Sequence, residues 1–164
     1  MGQQRTIAIG MAMGAVCALC LVLLPAVVTL PDLTPMQALP VAYLFPAIIL
    51  VAVIGRIAQR RFFDEDLIDG DRPAPHTAAE IDQRVLTNTA EQALIAALVW
   101  PFVAMVQGGA AVIVLGAGFA VFRTIFWLGY HAAPPFRSMG FAGTFYATVL
   151  ALIWSGLSWA ARTF

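Results

Sequence analysis

Five long apolar segments restrict what this chain can fold into. They run from about residue 6 to 30, 38 to 58, 89 to 106, 110 to 128 and 140 to 161. Each approaches or exceeds the roughly 20 residues that a helix needs to cross the hydrocarbon core of a bilayer. Membrane-spanning strands are excluded because the segments lack a strict alternation of polar and apolar residues, and lipid cannot satisfy open backbone groups. The sequence therefore predicts an all-α integral membrane protein with five transmembrane helices.

The composition agrees with this class and excludes others. Hydrophobic residues make up 61% of the 164 residues, against about 45–50% in a soluble domain. The length leaves room for one compact membrane domain, and the net charge of zero gives no reason to expect a nucleic-acid partner. Cys17 and Cys20 form a C-x-x-C pair inside an apolar segment, without a second Cys pair or a His nearby. We therefore expect small apolar packing residues there and no metal site.

The arginines predict the orientation in the membrane. All nine basic residues are arginine, and five of them lie in the connection 55–84, whereas the connections 31–40 and 107–109 contain none. By the positive-inside rule, the arginine-rich connection faces the cytoplasm. The amino terminus with Arg5 then also lies inside, and we expect a multi-pass protein of a bacterial inner membrane. Seven of the nine acidic residues, Asp82 among them, fall in the same connection and are interpreted as a solvated loop.

One short polar motif begins the third segment. In "RVLTNTAEQ", Arg84, Asn88 and Glu91 are spaced i, i+4 and i+7, which places them along one face of a helix. This face could bind a polar ligand at the mouth of the segment. Alternatively, Arg84 extends to the interface and the other two side chains lie among lipid headgroups.

A second motif lies at the end of the fourth segment. Arg123 falls inside it, where an arginine costs about 2.5–3.5 kcal/mol and cannot escape by losing its proton. We therefore predict that Arg123 faces protein and pairs with Glu91, the only acid clearly inside an apolar segment. Tyr130 follows two turns later, and Arg137 and Ser138 open the last helix. This combination of cations and hydrogen-bonding groups beside an apolar wall would suit glutathione meeting a lipophilic small molecule.

The two motifs together resemble the MAPEG family, the membrane-associated proteins in eicosanoid and glutathione metabolism. The resemblance rests on "RVLTNTAEQ" and "FRTIFWLGYHAAPPFRSMGF" and covers about residues 41–162. It implies a four-helix protomer, a homotrimer surrounded by membrane lipid, and glutathione bound between subunits near the cytoplasmic face. On this basis residues 38–164 are predicted to form the four-helix domain, and residues 1–37 an additional transmembrane helix with its loop.

The resemblance also implies a role for each polar residue. Glutathione would be held by Arg84, Asn88, Glu91, Arg123 and Tyr130, with Arg123 acting through Glu91. Arg137 and Ser138 would be the catalytic pair at the thiol. The implied activity is transfer of glutathione to a lipophilic electrophile, or reduction of a peroxide, through an arginine-stabilised thiolate.

Three departures from the family pattern keep an alternative open. Thr87 stands where the better-studied eicosanoid enzymes carry an arginine, Phe126 where some carry a histidine, and Ile95 where a proline is frequent. The first two remove polar contacts to a ligand. The alternative is therefore a non-catalytic protein of the same fold, in which Glu91 and Arg123 form a purely structural pair.

Overall fold

The computed structural model describes residues 2–28, 32–64 and 67–164, and this part of the chain is a bundle of five long helices. They are α1 (Gln3–Val27), α2 (Pro35–Phe63), α3 (Ala78–Gln107), α4 (Gly109–Ala132) and α5 (Pro134–Thr163). All five are long and apolar enough to cross a membrane. The predicted all-α class and the number of helices that could cross a membrane are thereby confirmed.

Most helices extend beyond their apolar segments, and capping side chains stabilise the first turns of α2 and α3. Thr34 and Gln37 form a capping box at the start of α2. The side chain of Thr77 accepts a hydrogen bond from the backbone N–H of Glu80 at the start of α3. Such caps satisfy amides that the first helical turn leaves without partners. Helix α1 is shifted relative to the first predicted segment, since it begins at Gln3 and ends at Val27; residues 29–31 lie outside the described residues.

The connections between helices differ greatly in length. Gly108 alone separates α3 from α4, as the predicted tight turn requires, and Ala133 alone separates α4 from α5. The connection from α2 to α3 is long, and Leu67, which is buried, anchors it to the bundle. Because α4 and α5 are joined by one residue, the end of α4 and the start of α5 are held against each other.

The helices alternate in direction, so five helix ends meet at one end of the bundle. These are the starts of α1, α3 and α5 and the ends of α2 and α4. We call this the arginine-rich end because it carries the long connection and residues 56, 60, 61, 72, 84 and 137, all arginines. The helix ends that lie together thus match the predicted topology. That this end faces the cytoplasm stays a prediction.

Helix α1 packs along α5 through small residues. Its buried positions are Gly10, Gly14 and Ala18, one turn apart on a single face. A Cβ atom at Gly10 would overlap the hydroxyl of Ser138, and one at Gly14 would overlap the backbone of α5 at Met139. Glycine at both positions lets the two helix backbones approach closely, as in other small-residue contacts of membrane helices. The helix thereby covers the face of α5 that carries Ser138.

Candidate functional site

A fully buried arginine lies at the centre of the site. Arg123 of α4 has no solvent-exposed surface. Its Nε donates to Oγ1 of Thr144 at 3.1 Å, and one terminal nitrogen donates to Oδ1 of Asn88 at 2.7 Å. The guanidinium also lies over the ring of Phe126, 4.4 Å from the ring centroid. As predicted, Arg123 faces protein. Its other terminal nitrogen has no hydrogen-bond partner within the described residues.

The predicted direct pair between Arg123 and Glu91 is wrong. Among the described residues, no ion pair joins them. Asn88 lies between, since its carbonyl oxygen accepts from Arg123 and its amide donates to Oε2 of Glu91 at 3.4 Å. Residues three apart on a helix differ by about 60° in direction. Asn88 therefore faces α4, while Glu91 points outward and is exposed.

Glu91 and Asn88 face an open groove at the arginine-rich end. The groove has a volume of about 720 Å³. Its lining includes Arg84, Thr87, Asn88 and Glu91 of α3, Tyr130 of α4, and Arg61 and Arg72 from α2 and the long connection. The predicted polar face of α3 thus lines one cavity. Arg61 and Arg72 were not predicted at the site, because the packing of α2 brings Arg61 there and the course of the long connection brings Arg72.

Arg84 lies at the rim of the groove and is available to a ligand. A terminal nitrogen of Arg84 contacts Oε1 of Glu80 at 2.7 Å, one turn earlier on α3, and 57% of the Arg84 side chain is exposed. An exposed ion pair of this kind contributes only about 0.3–0.5 kcal/mol. A carboxylate ligand could therefore replace Glu80 at little cost.

Tyr130 and Arg137 stack on each other beside the groove. The guanidinium of Arg137 lies 4.9 Å from the centroid of the Tyr130 ring. Gly129 allows this approach, since a Cβ atom there would overlap the backbone of Arg137. On its other side, the Tyr130 ring meets Phe126 edge-on, with 5.1 Å between centroids. Phe126 therefore supports both Arg123 and Tyr130, instead of offering a ligand contact.

Ser138 lies apart from the other predicted site residues. Its hydroxyl donates to the backbone carbonyl of Pro135 at 3.0 Å, and Gly10 of α1 covers it. Neighbouring residues on a helix point about 100° apart. Because Arg137 faces Tyr130, Ser138 faces α1. The structure thus gathers Arg84, Asn88, Glu91 and Tyr130 around the groove, with Arg123 beneath and Arg137 beside it, and separates Ser138 from them.

A second buried polar cluster, centred on Asp82, was not predicted from the sequence. Asp82 is fully buried and accepts hydrogen bonds from Nε of Arg60 at 2.5 Å, Nε1 of Trp127 at 2.8 Å and Nε2 of His131 at 3.3 Å. Its assignment to a solvated loop was wrong. Asp82 lies in α3 and shares the inward face with the buried positions 85, 89 and 92. The helical spacing of these positions was the signal that could have identified it.

The bridging position of Asn88 leads to a prediction about stability without ligand. Asn88→Ala is expected to lower the free energy of unfolding by about 1.5–3 kcal/mol, because a buried guanidinium loses its acceptor. Glu91→Gln is expected to change it by less than about 0.5 kcal/mol, because Glu91 is exposed. Thermal unfolding of the two variants in detergent measures both effects. A larger loss of stability for Glu91→Gln than for Asn88→Ala would contradict the bridge through Asn88 and support a direct ion pair between Glu91 and Arg123.

A comparison with known protein families identifies the family of this chain. The family model for the MAPEG family matches residues 34–157, most of the chain, and the chain therefore belongs to that family. The match contains α2, α3, α4 and most of α5, whereas α1 lies outside it. Searches among curated proteins and among solved structures gave no match. Five apolar helices and this membership identify an integral membrane protein.

Proposed function

We propose that this member of the MAPEG family is a membrane enzyme that binds glutathione in the groove and uses its thiol on a lipophilic electrophile or peroxide. The family includes both glutathione-dependent enzymes and non-catalytic members. One observation carries the proposal. Buried Arg123 holds Asn88, and Asn88 holds Glu91 with its carboxylate exposed to a groove that several arginines line.

The groove is lined by Arg61, Arg72 and Arg84 and by three acids, Glu91, Asp71 and Glu80, and the arginines and Glu91 could meet the charges of glutathione. At neutral pH this tripeptide carries two carboxylates and one ammonium group. Glu91 would bind the ammonium group, and Arg61, Arg72 and Arg84 would bind the carboxylates through charge-assisted hydrogen bonds. Asn88 would add a neutral hydrogen-bonding group. The volume of about 720 Å³ lies within the usual range of small-molecule sites, about 300–1,000 Å³.

The stacked pair of Tyr130 and Arg137 would act on the thiol. A free thiol has a pKa of about 8.5, so only a small fraction is thiolate at neutral pH. Lowering that pKa by about two units requires about 2.7 kcal/mol of preferential stabilisation of the thiolate. A guanidinium at hydrogen-bonding distance could supply this. The thiolate would then form a bond to the electrophilic atom of the lipophilic substrate, and the leaving group would depart with its bonding electrons.

The surroundings of Glu91 support a site completed by a neighbouring subunit. Glu91 is exposed on α3, and the exposed Leu94 and Leu98 continue the same face along the helix. A carboxylate facing hydrocarbon would be costly. In the proposed homotrimer, a second copy would cover this face and enclose the groove. The arginine-rich end, and with it the groove, would face the cytoplasm.

A non-catalytic member of the family is the second candidate function. It is favoured by the position of Ser138, which bonds to Pro135 and is covered by α1. It is also favoured by Phe126, which packs between Arg123 and Tyr130. In this alternative, Arg123, Asn88 and Thr144 form a structural network and the groove binds no glutathione.

Glutathione-dependent stabilisation separates the two candidates. For the proposed enzyme, free glutathione at about 100 times its Kd should stabilise the solubilised protein by about 2.7 kcal/mol. Glu91→Gln should weaken binding by about tenfold or more, because the ammonium group loses its charged partner. Asp32→Asn, at the opposite end of the bundle, is the matched control and should bind like wild type. If saturating glutathione leaves the unfolding temperature of the wild-type protein unchanged, the non-catalytic alternative replaces the proposal.

A further inference from the structure

A second opening at the arginine-rich end lies between α2 and α4. It has a volume of about 270 Å³ and is lined by Arg56 and Arg60 of α2, Trp127, Leu128 and His131 of α4, and Asp82. Arg56 and Arg60 are one turn apart, so both present their guanidinium groups on the same side of α2. The opening is separate from the glutathione groove and shares no lining residue with it.

The opening carries an excess of positive charge. Asp82 is the only acidic side chain among its described lining residues, and Arg60, Trp127 and His131 all contact that carboxylate. Arg60 uses Nε for this contact, and within the described residues its two terminal nitrogens have no acceptor. Within the part of the chain that the structure describes, Arg56 bonds to the neutral side chain of Gln59, at 2.6 Å. With one carboxylate against two guanidinium groups, the opening favours an anion.

The surface beside the opening is apolar and exposed. Leu128, which lines it, is 62% exposed, and Val121, two turns earlier on the same face of α4, is 57% exposed. Ile54 of α2 is similarly exposed. Trp127 has the amphipathic side chain that concentrates at membrane interfaces. The opening thus joins a cationic polar end to an apolar strip that continues toward the middle of the membrane.

We propose that this opening binds the phosphate group of an anionic phospholipid. The phosphate oxygens would accept from Arg56 and from the terminal nitrogens of Arg60, while an acyl chain lies along Leu128 and Val121. Basic pockets between transmembrane helices are a recurring way of binding anionic headgroups. Asp82 holds Arg60 at the opening and leaves the outer edge of its guanidinium to the lipid. The proposal does not depend on glutathione binding.

The test compares lipids and matched arginine variants. Purified protein in detergent is titrated with phosphatidylglycerol, phosphatidylcholine or inorganic phosphate, and the unfolding temperature and the lipid bound in native mass spectrometry are recorded. Phosphatidylglycerol should stabilise the wild-type protein more than phosphatidylcholine. Arg56→Gln should weaken this effect by about tenfold, as expected for one charge-assisted hydrogen bond. Arg5→Gln is the control, because it removes the same charge from α1, which does not contact α2 in the described residues.

Each other outcome overturns the proposal. Equal stabilisation by the two lipids would show that the opening does not select a lipid with a net negative headgroup. If Arg56→Gln and Arg5→Gln lose equal amounts of stabilisation by phosphatidylglycerol, the net charge of the protein alone attracts the lipid. If inorganic phosphate displaces phosphatidylglycerol at an equal concentration, the opening is a site for free phosphate. If Arg56→Gln unfolds without lipid, Arg56→Lys, which keeps the charge, takes its place. Failure of Arg56→Lys to bind phosphatidylglycerol selectively would contradict the proposal.

Discussion

Asp82→Asn is expected to lower the free energy of unfolding by about 3 kcal/mol. Asp82 is fully buried and accepts from Arg60, Trp127 and His131, which join α2 and α4 to α3. Removing one partner of a buried ion pair typically costs about 3–5 kcal/mol because the other charge is left uncompensated. The lower end applies here because a quarter of the Arg60 side chain is exposed. The asparagine would also point an N–H group at one of the three donors.

Thermal unfolding of the ligand-free protein measures this loss, with Asp69→Asn in the long connection as the exposed control. A double-mutant cycle identifies its source. If the ion pair with Arg60 dominates, the double variant Asp82→Asn and Arg60→Gln should lose less than the sum of the single losses, with a coupling of about 1–3 kcal/mol. An unfolding temperature of Asp82→Asn equal to that of Asp69→Asn would show that the buried cluster does not stabilise the bundle.

Arg137→Ala is expected to lower the rate of glutathione conjugation by about 25-fold at neutral pH, because raising the thiol pKa by two units, from about 6.5 to about 8.5, lowers the thiolate fraction at pH 7 from about 75% to about 3%. This prediction rests on the proposed function. Arg137 lies in the first turn of α5, where its charge adds to the positive end of the helix dipole. The stack on Tyr130 offsets this cost by only about 0.5–1 kcal/mol. An anion at the same place, such as a bound thiolate, would be attracted by both the guanidinium and the helix end.

The Arg137→Ala variant should keep its affinity for glutathione and lose reaction rate. Glutathione should still bind to Arg137→Ala, because Arg84, Asn88 and Glu91 would hold the tripeptide. The ultraviolet absorbance of the bound thiolate should fall together with the rate, measured with a model lipophilic electrophile at saturating glutathione. Arg137→Lys, which keeps the charge, should recover part of both signals. If glutathione binds and the wild-type protein gives no thiolate signal, Arg137 is an interfacial residue and the catalytic role is lost.

Several parts of the site follow from the sequence alone. Arg123 could not remain in hydrocarbon without protein partners, and its burial was therefore predictable. Arg84, Asn88 and Glu91 share one helical face by their spacing, and they line one groove in the structure. The partner of Arg123 was not predictable. The nearest acid along the chain was the natural choice, yet the rotation of α3 presents the neutral amide of Asn88 to α4.

Sequence alone determined the class of the protein, its five long apolar helices and the helix ends that meet, because hydrocarbon requires long apolar helices and short connections force antiparallel neighbours. Only the tertiary structure decided which side of each helix faces protein. Asp82 faces inward, Ser138 faces α1, and Arg56 and Arg60 face the opening between α2 and α4. The physical reason is that lipid and protein core are equally apolar. The hydrophobic pattern of a membrane helix therefore does not distinguish its buried side, and the rotation of each helix is set by contacts between residues far apart in the chain.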